Sequence, residues 1–149
     1  MYPSAMLCMN ADSTTMVNYE DIDTNDKHYY IVDCREDEKS GCEYICFDLT
    51  RYSVLATYIE ELFTLRRKHK ALLKTDKDNY AKNFAIQFAL KIDCNSIYGA
   101  LAYSLSPLFC YELAVATTAL GRKAITTARD YAIACDYKFL GADTDSIFI

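Results

Sequence analysis

Near the end of the sequence, "ADTDSIFI" (residues 142–149) sets Asp143 and Asp145 one residue apart inside an otherwise apolar run. Two carboxylates held that close in a low-dielectric setting repel, and one takes up a proton unless a cation balances the pair. Their oxygens suit a hard ion such as Mg2+, which is held by one or two carboxylates together with substrate phosphate. The flanking Phe139, Leu140, Ile147, Phe148 and Ile149 favour a buried metal site over a surface turn. D-x-D by itself is also found in metal-dependent glycosyltransferases and in many turns.

Candidate cations lie upstream. In "NFAIQFALKIDCNSIYGA" (residues 83–100), Phe84, Ala85, Phe88, Ala89 and Ile92 share a broad apolar face at helical spacing. Gln87, Lys91, Asn95 and Tyr98 run at i, i+4, i+8 and i+11 beside it, offering a cation, an amide and a hydroxyl-bearing ring. A solvated polar face explains that stripe equally, and Gly99 after it reads as a helix C-cap. In "LFTLRRKHKALLK" (residues 62–74), Arg66 and Lys70 are one turn apart, and Arg66 continues the line of Leu55, Ile59 and Leu62. Three cations converging from two helices suit a triphosphate, whose charge is spread over several oxygens. A charge run more often marks a solvated face, and spacing does not decide between the two.

The elements that must hold these residues follow from the pattern. Residues 50–74 and about 80–98 read as two long helices joined by the polar "KTDKDN", an antiparallel helical hairpin. Residues 28–32 and 44–47 are β-rich runs around "REDEKSG", a β-hairpin with a charged turn. Residues 108–135 read as a third long helix, and 137–149 as a strand interrupted by Asp-Thr-Asp. The opening "MYPSAML" looks strand-like as far as Pro3. The sum is an α+β fold with an inserted helical hairpin.

The totals fit one soluble domain: 149 residues, 52% hydrophobic and 25% charged. The stretches without charge are too short and too polar to span a bilayer, and no secretory leader is visible, so we expect an intracellular, membrane-free protein. Seven scattered cysteines, with C-x-x-x-C at 42 and 46 but no accompanying His, read as reduced thiols rather than a zinc site. The net charge is -5 but unevenly spread: residues 19–48 carry ten acidic against three basic side chains, and residues 51–74 carry six basic against two acidic. The basic helix is therefore a local anion site in an acidic protein.

Taken together the segments resemble a known family. "KIDCNSIYG" is similar to the K-x-x-x-N-S-x-Y-G motif of family B DNA polymerases, the replicative enzymes of eukaryotes and large DNA viruses. "ADTDSIFI" resembles their Y-G-D-T-D-S palm motif, and "MYPSAM" the end of D-x-x-S-L-Y-P-S-I. "TALGRKAI" (residues 118–125) resembles the segment between the last two motifs. The motifs occur in the family's order and bracket the chain.

The resemblance implies a partial polymerase palm over residues 1–50, carrying the β-hairpin, a fingers helical hairpin over 51–99, and palm again over 100–149. It implies template-directed DNA synthesis by two-metal nucleotidyl transfer to a primer 3′-hydroxyl, with Mg2+ as the ion and Mn2+ able to replace it. Tyr2 would be the steric gate under the incoming sugar, with Met1 and Pro3 offering backbone near the triphosphate. Arg66, Lys70 and Lys91 would grip the phosphates and Asn95 would pack beside the nucleotide. Tyr98, Gly99 and Thr144 would contact the nascent base pair and the primer–template. Asp145 would ligate metal directly, and Asp143 would support the metal and the primer end. Partners would be primer–template DNA, deoxynucleoside triphosphates and a processivity factor bound through parts outside this chain, at a nuclear or cytoplasmic viral replication site.

The family pattern also calls for a third carboxylate, the Asp opening D-x-x-S-L-Y-P-S, and Met1 stands where that motif has Leu. The chain therefore reads as an internal fragment, inactive alone. Gly141-Ala142 replaces the family's Tyr-Gly before D-T-D, and "SAM" replaces its S-I-I or S-I-M. A catalytically dead remnant that only binds nucleotide or DNA is the competing reading. A D-x-D glycosyltransferase leaves Lys91, Asn95, Tyr98 and Gly99 without a role.

Overall fold

The computed structural model describes residues 1–36 and 38–149; Asp37, in the charged turn, lies outside the described residues. The fold begins with a helix, α1 (Tyr2–Met9), where a strand was expected. Proline near the start of a run reads as a strand breaker. In the first helical turn, however, its fixed φ and missing N–H cost nothing, and Pro3 occupies that position. Asn10 closes α1 in the left-handed conformation (φ 54°), and its side-chain amide donates to the carbonyls of Asp48 (3.0 Å) and Arg51 (2.9 Å).

Three strands follow: β1 (Met16–Val17), β2 (Tyr29–Asp33) and β3 (Tyr44–Asp48). They form an antiparallel sheet in the order β1-β3-β2, with Ile31 opposite Cys46 and Met16 opposite Phe47. The expected β-hairpin is thus present. Central β3 is buried from Ile45 to Asp48 because both of its edges are paired and both of its faces are covered. Ile45 and Phe47 point into the main core, where they meet Met6 and Met9 of α1.

The long helices are α2 (Val54–Thr75), α3 (Tyr80–Ala102) and α4 (Tyr111–Ala134). Ile59, Leu101, Leu113, Val115, Ala116 and Ala119 join the same core. α2 starts four residues later than the periodicity suggests, at the cap Ser53, whose hydroxyl accepts from Ala56 N–H (2.9 Å). α2 and α3 pack as an antiparallel hairpin. Among the described residues no helix is long and apolar enough to cross a membrane.

The root of α2 is held by Asp12, which is 7% exposed and accepts from the N–H groups of Leu55 (2.9 Å) and Thr14 (3.0 Å). Desolvation pushes the Asp12 carboxyl up, but the donors from Thr14 and Leu55 outweigh it and hold the pKa below its ordinary 3.8. Stability from this carboxylate is therefore complete above pH 3.8 and is lost as pH falls through the depressed folded value. Asp12→Ala strands a buried helix N–H and is expected to cost about 1–2 kcal/mol, lowering Tm by roughly 3–6 °C. Thermal unfolding at neutral pH checks it, and a Tm at the parent value would remove Asp12 from the capping role.

Three further expectations are corrected. The face of α3 bearing Phe84, Phe88 and Ile92 is exposed, at 48, 46 and 53%, and Tyr80, Phe84 and Phe88 form a stacked ladder on it at 6.3 and 6.2 Å. The face packed inward carries Asn83, Cys94 and Leu101, with Leu90 and Ile97 between them. Apolar residues occupy both faces, so periodicity alone cannot choose which is buried. Gly99 is not a C-cap: the helix continues to Ala102, and Tyr103 caps it. The last segment is not a buried strand but a hairpin, β4 (Gly141–Asp143) and β5 (Ser146–Phe148), with Leu140, Phe148 and Ile149 exposed at 67, 54 and 56%. Two strands alone offer those side chains no second layer.

Candidate functional site

The start of α1, the C-terminal part of α3, the middle of α4 and the β4–β5 turn meet on one side of the molecule. The rings of Tyr2 and Tyr98 lie 4.3 Å apart between centroids, tilted by 34°. The Met1 backbone nitrogen is 3.8 Å from an Asp145 carboxylate oxygen. Beneath them is Gly121 of α4, where an added Cβ would stand 2.9 Å from the Met1 methyl and 3.8 Å from the Tyr2 ring. A side chain here would push first on the flexible end of Met1, so Gly121 marks where α4 comes close to the start of α1. Burial pushes the Tyr98 hydroxyl above its ordinary value; Tyr2 adds to this and Arg122 opposes it, so Tyr98 keeps its proton at neutral pH. Pro3 is buried in the first turn of α1 behind Tyr2.

Asp143 pairs with Ser146, so Thr144 and Asp145 form a two-residue hairpin turn. Right-twisted strands favour mirror-image turns, which need positive φ, and Thr144 supplies φ 49°. A β-branched residue rarely adopts that conformation, and holding it there costs of order 1–3 kcal/mol. Thr144 Oγ1 donates to Asp143 Oδ1 (2.9 Å), while Asp145 projects outward with its side chain 60% exposed. The expected burial of this pair is therefore corrected: both aspartates are exposed, and water screens like charges at a surface. Oxygen-only donors on a tight turn still fit a hard divalent ion. Among the described residues, however, no group of three or more His, Cys, Asp or Glu gathers to hold one.

The cations occupy the facing arms of the helical hairpin. Arg66 is half-buried, its Nε is buried without a hydrogen-bond partner, and its charge is felt at Cys94 on α3. Burial raises the Cys94 thiol, and Arg66 is the charge that opposes it. Cys94 sits between Lys91 and Asn95 in sequence, so Arg66 reaches the stretch of α3 that carries both. Lys70, Lys91, Asn95 and Gly99 are exposed. Side chains lean toward the N-terminus of their own helix, so Arg66 and Lys70 lean toward the hairpin root and Lys91 toward its tip. Along the hairpin axis, Arg66 and Lys70 thus tilt toward the level of Lys91, and Lys91 toward theirs.

Gly121, Arg122 and the contact between Tyr2 and Tyr98 were not found by spacing. "TALGRKAI" carried the only hint of the first two. The ring contact joins residues 96 positions apart and has no local signal.

The chain matches the model of DNA polymerase family B over residues 1–149. It is 29% identical over 160 residues to the DNA polymerase delta catalytic subunit of Candida albicans, covering all of this chain and 15% of that protein. It is 32% identical over 152 residues to a DNA polymerase of Archaeoglobus fulgidus, covering all of this chain and 18% of that one. A DNA polymerase of Acanthamoeba polyphaga mimivirus is 35% identical over 81 residues, 53% of this chain and 5% of that protein. Among solved structures, the family B DNA polymerase of Pyrobaculum calidifontis superposes with a TM-score of 0.75 at 22% identity, covering 99% of this chain and 18% of that one. The chain thus spans under a fifth of the length of each of these relatives.

Proposed function

The chain belongs to DNA polymerase family B, and on that premise we propose that it is the nucleotide-binding and metal-holding part of a palm and fingers that add deoxynucleotides to a primer 3′-hydroxyl. The observation that carries this reading is the meeting of three distant segments: Tyr2 against Tyr98 at 4.3 Å, and Asp145 at 3.8 Å from the Met1 nitrogen.

Each residue then has a task. Arg66, Lys70 and Lys91 draw in and neutralise the triphosphate, acting before chemistry and during it. The Tyr2 ring, backed by Tyr98, supports the incoming sugar and leaves no room at its 2′ position. Pro3 fixes the first turn of α1 and so the height of that ring. Asn95 packs beside the nucleotide, and Tyr98 and Gly99 present a flat edge to the nascent base pair. Thr144 holds Asp143 by its hydroxyl and turns the chain so that Asp145 projects.

Asp143 and Asp145 would hold Mg2+, which when bound lowers the pKa of the attacking hydroxyl and neutralises the phosphates. A two-metal site takes a further carboxylate that the described residues do not gather. Primer–template DNA and deoxynucleoside triphosphates are the substrates, and the place of work is the site of DNA replication.

Lys91→Ala in the polymerase that carries this segment is the direct test. Removing one preorganised cation from the transferring phosphates is expected to lower kcat/KM for deoxynucleotides by about 10²-fold, while primer–template affinity holds. Steady-state incorporation opposite a defined template base measures it, and parental kcat/KM would end the assignment.

A further inference from the structure

Resting on the reading that Arg66, Lys70 and Lys91 take the triphosphate, we infer that a hydrogen bond between His69 and Asn83 sets the register of the two arms and so positions that grip. His69 Nδ1 lies 2.9 Å from Asn83 Oδ1. An amide oxygen only accepts, so Nδ1 carries the shared proton. Among the described residues this is the one side-chain hydrogen bond between α2 and α3. Asn83 is 4% exposed, on the inward face of α3 that also carries Cys94 and Leu101.

An apolar seam between antiparallel helices tolerates sliding, because one hydrophobic contact replaces another. A polar pair with a buried member does not, since sliding strands the buried Asn83 away from water and from its partner. Asn83 Nδ2 is buried with no partner, so the pair is only half satisfied and adds little net stability. Register, rather than stability, accounts for it.

The geometry links this lock to the site. Both Arg66 and Lys91 lie on the root side of the pair, three residues from His69 and eight from Asn83. At 1.5 Å per residue their axial levels differ by about 7–8 Å, a gap that an arginine side chain leaning toward the root spans. A slip of one turn, about 5 Å, would either open that gap to about 13 Å or nearly close it, and Lys70 would move with Arg66. His69 and Asn83 touch no substrate under this reading; they are positioning residues.

The test uses the full polymerase that carries this segment, with single-turnover incorporation giving nucleotide Kd and maximal rate separately. The double variant His69→Leu with Asn83→Leu fills the seam and keeps the helices packed while freeing the register. It is expected to raise nucleotide Kd about tenfold, with the maximal rate within about threefold and primer–template affinity unchanged. Asn83→Leu alone is expected to do the same. His69→Gln, which retains a hydrogen-bonding group toward Asn83, is expected to stay within about threefold of the parent Kd. A structural role alone would lower Tm in all three without this split. Parental Kd in either leucine variant, or a His69→Gln defect as large as theirs, overturns the inference. Lys91→Ala run in parallel separates the two ideas. If it is impaired while the leucine variants are parental, the register role falls and the grip stands; if it too is parental, the underlying reading fails.

Discussion

Asp145→Asn in the full polymerase is expected to abolish nucleotide addition, lowering the maximal rate by at least about 10³-fold while leaving the fold intact. The side chain is 60% exposed in a two-residue turn, so the substitution removes one charge from a position that packs against little. Surface changes of that kind usually alter stability by no more than about 0.5 kcal/mol. An amide keeps the shape but forfeits the charge that a divalent ion needs, so the loss should fall on the rate and not on Tm. Asp143→Asn is expected to be milder, because Asp143 shares its oxygen with the Thr144 hydroxyl and stands one residue further from the turn's apex. Rapid-quench incorporation with Mg2+ at saturating nucleotide distinguishes them. If Asp145→Asn kept more than about a tenth of the parental rate, Asp145 could not be the principal ligand. If the unsubstituted polymerase bound nucleotide but incorporated none, the binding-only remnant would replace the polymerase reading.

Tyr2→Ala carries the second large effect, on selectivity. The Tyr2 ring rests on the Tyr98 ring, 4.3 Å between centroids. A ring packed against a second ring is restrained on that face, and discrimination by exclusion needs such restraint. Truncation to alanine leaves a space that accepts the hydroxyl. Discrimination against ribonucleotides is expected to fall by about 10²-fold or more, close to 3 kcal/mol at about 1.4 kcal/mol per factor of ten. Deoxynucleotide kcat/KM should change far less. Competition between matched ribo- and deoxynucleotides on one template measures the ratio, and an unchanged ratio would move the gate elsewhere.

How much of this was legible in the sequence varied with the range of the signal. The long helices and the β2–β3 hairpin were, because caps, breakers and periodicity are local. The motif residues were legible as types in order, though spacing alone could not bring them together. What failed had specific physical causes. α1 was misread because Pro3 favours a helix start as readily as it breaks a strand. The inward face of α3 was inverted because Phe84 and Phe88 outweigh Asn83 and Cys94 in hydrophobicity, although the latter are the buried ones at 4% and 2%. The Asp143–Asp145 hairpin was read as buried because its apolar flanks resemble a core strand, yet Leu140, Phe148 and Ile149 are exposed. The contact of Tyr2 with Tyr98 and the bond from His69 to Asn83 belong to tertiary structure, and one sequence carries no mark of either.

The Asp12 anchor at the base of α2 has a mechanical consequence. A helix of 22 residues is about 33 Å long, so the arm is a lever with its fulcrum where that carboxylate meets the first N–H groups. Turning such a lever by about 10° at the fulcrum sweeps its far end through about 6 Å, roughly one helical turn. Adjustments at the base too small to disturb Phe47 or Met6 are thereby amplified at the outer end, where the stacked rings of Tyr80, Phe84 and Phe88 ride.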